Sequence, residues 1–73
     1  MATVTPSYME QIGATAGLVW NYLNKNGSIS LAKLAKQIDA PRDLVMQSVG
    51  WLAREGKVEI EESGRAKTVS LVE

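Results

Sequence analysis

From about Tyr8 to Asn26 the apolar residues recur every three or four positions. Met9, Ile12, Ala16, Val19 and Leu23 form one stripe, with Trp20 beside it, and this period predicts an amphipathic helix. Leu18 and Tyr22 sit on a different side, with Tyr8 and Thr15 at heptad offsets from Tyr22, so the helix is apolar over more than one face. Pro6-Ser7 offers a start signal. Asn26-Gly27 supplies the stop, because glycine adopts the left-handed conformation without a Cβ penalty. Ser28-Ile29-Ser30 is long enough for one edge strand, and Ser30 is placed to N-cap the next helix. In that helix Leu31, Leu34, Ala35 and Ile38 repeat at i, i+3, i+4, i+7, while Lys33, Lys36 and Gln37 face water. Ala35 is small where two helices must cross closely.

Asp39-Ala40 reads as a tight turn, since Asp tolerates left-handed geometry better than most residues. Pro41 has its φ preset for a first helical turn, and Asp43 there suits the helix dipole. The third helix is expected to run to about Glu55, with a core stripe of Leu44, Val45, Ser48, Val49 and Leu52, and with Gly56 as its cap. The period then changes to two. Lys57-Val58-Glu59-Ile60-Glu61 alternates as a half-buried strand, Glu62-Ser63-Gly64-Arg65-Ala66 turns, and Lys67–Val72 returns with Val69 and Leu71 facing in. The order α1-β1-α2-α3-β2-β3, an α+β arrangement with a small antiparallel sheet, is that of a winged helix-turn-helix. Residues 1–73 make one such domain, with residues 1–6 as a loosely held lead-in.

Two segments are more specific than this general pattern. One is Ile12-Gly13, Ala16-Gly17 and Val19-Trp20 in the first helix; the other is Val49-Gly50-Trp51-Leu52-Ala53-Arg54-Glu55-Gly56-Lys57-Val58. Through them the chain resembles a small family of bacterial winged helix-turn-helix domains of unknown function. The likeness covers nearly the whole chain, and it implies a fold, not an activity. The chain departs from the wider helix-turn-helix motif at Asp39, where Gly is common in the turn, and at Pro41, where a Ser or Thr cap is common. The tight turn tolerates both.

Composition narrows the chemistry. With no cysteine there is neither disulfide nor thiolate metal site, and with no histidine the commonest general base and neutral metal ligand are missing. Serine and threonine therefore lack a histidine partner, no glycine-rich phosphate loop or metal-ligand spacing occurs, and the expectation is a non-enzymatic chain with no catalytic residues and no cofactor. No small-molecule ligand is evident. Neither a signal-peptide core nor a membrane-spanning apolar run is present, so a cytoplasmic, non-membrane protein is expected. Eight basic and eight acidic residues give a net charge of zero, which weighs against strong nonspecific binding to a polyanion.

Two functional classes stay open. In the first, the chain binds double-stranded DNA as a transcriptional-regulator-like factor. The third helix presents Arg42, Asp43, Met46, Gln47, Gly50 and Arg54 outward. Gln47 suits adenine, and Arg42 suits guanine or a phosphate. Lys33 and Lys36 on the second helix, with Arg65 and Lys67 on the wing, can hold the backbone, although each is equally an ordinary solubilising charge. Glu59, Glu61 and Glu62 crowd the same hairpin and oppose a polyanion. In the second class the domain is a protein-interaction module whose face uses Tyr22, Met46, Gly50 and Trp51. Trp51 is expected to complete the core against the wing, or else to anchor a partner. Gly13 and Gly17 are expected to allow close packing, against the sheet or against a second subunit. The apolar excess around Tyr8, Leu18 and Tyr22 favours a homodimer.

Overall fold

The computed structural model describes residues 7–72; the lead-in over residues 1–6 lies outside them. Helix α1 (Tyr8–Asn26), strand β1 (Ile29–Ser30), helices α2 (Leu31–Gln37) and α3 (Arg42–Arg54), and strands β2 (Val58–Ser63) and β3 (Ala66–Leu71) occur in the expected order. Local chemistry sets most of these limits. Ser7 Oγ accepts from the Glu10 N–H at 3.2 Å, and Ser30 Oγ accepts from the Lys33 N–H at 3.2 Å, so both helices open on a serine cap. Gly27 ends α1 at φ 81°. At the end of α3, the Lys57 N–H donates to Leu52 O and the Gly56 N–H to Ala53 O, with Gly56 at φ 78°. That pair of bonds is a Schellman motif, and it turns the chain directly into β2.

The strands form one antiparallel sheet in the order β1-β3-β2. β3 is central: Val69 pairs with Ile29 on one side and Ile60 on the other. Ala16, Val19 and Leu23 of α1, Leu34 and Ile38 beside α2, Val45, Val49 and Leu52 of α3, and Val58 and Val69 of the sheet close the core. Ser48 is the polar member of the α3 stripe and is fully buried. Its Oγ lies 2.7 Å from Leu44 O and 3.1 Å from Ile12 O, so one hydroxyl proton is shared between its own helix and α1. The small side chain lets the two helices approach, and the hydroxyl is satisfied.

Several expectations change. Asp39 is not left-handed, since every described residue with positive φ is a glycine. The turn is made by the Ala40 N–H donating to Ile38 O at 2.9 Å. Pro41 occupies the N-cap position, with ψ at 144°, instead of the first helical turn. Its carbonyl accepts from the Val45 N–H, the first turn's bond of α3. The wing turn is shorter than expected, because Ser63 pairs with Ala66 and leaves only Gly64-Arg65 between them. Gly64 is at φ 61° and Arg65 is not positive, the sign pattern of a type II′ hairpin. Met9 is 80% exposed and leaves the α1 stripe, which begins instead at Ile12. Ile60 has the inward register of Val58 but is 40% exposed: it stands on the outer strand of the sheet, beside a fully buried Val69 on the central one. Trp51 does not complete the core: it is 46% exposed. Gly13 and Gly17 do not serve close internal packing either, as a Cβ built on either meets nothing within 4 Å.

Candidate nucleic-acid interface

The N-terminal half of α3, the start of α2 and the wing enclose a cleft. Leu31, Met46 and Ala66 give it apolar walls; Arg42, Arg65 and Lys67 give it charge. Helix and wing therefore bring three cations together. Arg42 stands there because it is the first residue of α3, directly after Pro41. Arg65 and Lys67 stand there because the two-residue turn brings the hairpin tip back toward α3. A neutral chain thus carries a local positive field, and an arrangement of this kind concentrates an anion near it.

The glutamates divide by strand alternation. Glu59 and Glu61 alternate with Val58 and Ile60, so they project from the sheet face opposite the buried one. Glu62 pairs across the hairpin with Lys67, and Lys67 Nζ lies 3.6 Å from Glu62 Oε2. Both side chains are more than half exposed, so this ion pair contributes at most about 1 kcal/mol and releases its lysine readily.

Of the other candidate contacts, Gln47 is exposed on α3 one residue beyond Met46, on the outward face. Lys33 and Lys36 are exposed on α2. Lys33 comes directly after Ala32, which lines the cleft, whereas Lys36 lies a further turn away. The four candidate partner residues do not share one face. Met46 is half-buried in the cationic cleft. Trp51 lies five residues on, and at about 100° per residue that is roughly 140° round the helix. It lines a different groove with Gly13, Gly17 and Trp20 of α1. Tyr22 lies in a third depression, with Leu18, Lys25 and Gln37. Gly50 is exposed on the outer surface of α3. Sequence reasoning missed that Trp20 and Trp51 line one groove. The available signal was Gly13, Gly17 and Trp20 on one side of α1.

Among the described residues no group of three or more His, Cys, Asp or Glu is placed to hold a metal ion, and no helix is long and apolar enough to cross a membrane.

Comparison with known proteins places this geometry. A family model described as a winged helix-turn-helix domain (DUF2582) matches residues 8–71. The solution structure of protein BT2368 from Bacteroides thetaiotaomicron is similar at 35% identity over 89% of this chain and 79% of that one, with a TM-score of 0.79. The Zalpha domain of PKZ from Carassius auratus, in complex with Z-DNA, shares 18% identity over 84% of this chain and 97% of its own, with a TM-score of 0.73. An ArsR family transcriptional regulator shares 22% identity over 99% of this chain and 77% of its own, with a TM-score of 0.64. The last two likenesses are of fold. No curated protein matches the chain at a significant level.

Proposed function

The chain belongs to the DUF2582 family of winged helix-turn-helix domains, and from that membership we propose that it binds double-stranded DNA as a non-enzymatic, transcriptional-regulator-like factor of the bacterial cytoplasm. The observation that carries this reading is the cleft where Arg42, Arg65 and Lys67 converge beside the start of α3. Its position between helix and wing suits a phosphate backbone running past the helix. Arg42 and the two wing cations hold phosphates, and Lys33 and Lys36 extend the grip along α2. Gln47, projecting from the outward face of α3, reads adenine. A Zalpha domain seen with Z-DNA and an ArsR family regulator have this same fold, which supports nucleic acid as the ligand. Two copies act together in this reading, so that two clefts meet one duplex. The protein-interaction alternative rests on Tyr22, Met46, Gly50 and Trp51; of these Met46 lies in the cationic cleft itself, whereas Trp51 lines a groove on the other flank of α3.

The test is a salt titration with duplex DNA. Three phosphate contacts per domain give log K against log salt a slope of roughly −3, and five give roughly −4 to −5. The Arg42→Ala, Arg65→Ala, Lys67→Ala triple variant should flatten that slope by about 3. Gln47→Ala should change the sequence preference and leave the slope alone. Running right-handed and left-handed duplexes in parallel identifies which helical form is preferred. No binding to either form at ~50 mM salt defeats the proposal.

A further inference from the structure

Three cross-strand pairs follow one another along one face of the hairpin: Val58 with Leu71, Ile60 with Val69, and Glu62 with Lys67. Val58 and Val69 are buried, so this is the face that packs on the helices. The third pair carries charge instead and continues the same face toward the wing tip. The alternation that turns Glu59 and Glu61 away therefore keeps Glu62 on the side of Lys67. Lys67 lines the cationic cleft, and no acidic residue among the described ones does. Glu62 reaches the cleft's charge only through that lysine, with Oε2 at 3.6 Å from Nζ. The separation exceeds that of a charge-assisted hydrogen bond, so the contact is Coulombic. Arg42 and Arg65 have no ion-pair partner among the described residues.

We propose that Glu62 limits the cleft's hold on phosphate by countering Lys67, and so sets the domain's affinity below what its three cations would give. The inference rests on the DNA reading above and names the residue that tunes it. A phosphate arriving at Lys67 competes with the carboxylate for one ammonium group. An exposed pair of this kind favours the paired state by a factor of about five at most, so the carboxylate weakens the contact without closing the cleft. Phosphates seated at Arg42 and Arg65 bring a neighbouring phosphate to the wing, and Lys67 is then shared between it and Glu62. The wing holds the backbone and still releases it.

Salt-titrated binding of the full chain to duplex DNA, from ~50 mM to ~200 mM salt, tests the proposal with Glu62→Gln, Glu61→Gln and Glu59→Gln beside the wild type. Each variant removes one negative charge from a chain of zero net charge, so charge alone gives all three the same gain. Glu62→Gln should tighten binding by about threefold to tenfold at ~50 mM salt and steepen the salt slope by up to about 0.9, while the other two gain less than about twofold. In a Lys67→Ala background the gain from Glu62→Gln should shrink below about twofold, because the carboxylate acts through the lysine. Thermal melts should place every variant close to the wild type, since both side chains of the pair are more than half exposed. Equal gains from all three glutamines, or a full gain without Lys67, assign the effect to net charge and overturn the proposal. Wild-type binding that Glu62→Gln leaves unchanged overturns it as well and leaves the DNA reading standing. No binding by any of these proteins at ~50 mM salt overturns the DNA reading and this inference with it.

Discussion

The glycines of this chain divide by backbone angle and by surroundings. Gly56 sits at φ 78°, where a side chain strains the backbone, and its N–H closes the Schellman motif at the end of α3. Gly17 is helical, with open space where a Cβ would stand. The same substitution should therefore act in opposite directions. In the dilute single chain, Gly17→Ala should stabilise by about 0.5–1 kcal/mol through helix propensity, a rise in Tm of several degrees for a domain this small. Gly56→Ala should destabilise by about 1 kcal/mol or more. Thermal melts at ~1 μM, a dilution that disfavours pairing, check both signs. Ser48 shows the same dependence on surroundings: a polar residue in an apolar stripe is tolerated because Ile12 O and Leu44 O lie within reach of its hydroxyl.

The elements are held by their ends as much as by their faces. α2 has only seven residues, too few for an isolated helix to persist. It depends on Leu34 in the core and on the Ser30 cap. Ser30→Ala should cost about 1 kcal/mol, and amide exchange within α2 should accelerate more than exchange in α1. Equal acceleration everywhere would mean that the cap acts on global stability alone. The element limits were legible in the chain because capping is local: Ser7, Gly27, Ser30 and Gly56 each act close to where they stand in the chain. Pro41 was legible only as a helix start. Whether it falls at the cap or inside the first turn depends on how Ile38 and Ala40 close the turn before it.

In the whole molecule, helices and sheet share one core through Val69, which pairs with both neighbouring strands and is fully covered. Val69→Ala should cost about 2 kcal/mol through lost burial and the cavity left behind. The helical signal and the wing should still melt at one shared midpoint, because neither layer has a core of its own. Separate midpoints in denaturant would show that the wing folds independently. The apolar periods, the caps and the change from a helical period to period two were enough to give three helices and a hairpin in order, since each signal is read within a turn or a strand. They could not say how wide an arc of each helix its neighbours would cover. Met9, Trp20 and Trp51 belong to apolar patterns yet stay open, because α1 and α3 meet through Ile12 and Ser48 and leave those flanks uncovered. Nor could they say that Arg42, Arg65 and Lys67 would meet across a cleft while Glu59 and Glu61 turned to the other face of the sheet. Side-chain period is a property of the chain; which surfaces are left over, and which charges share them, is decided only when separate elements pack.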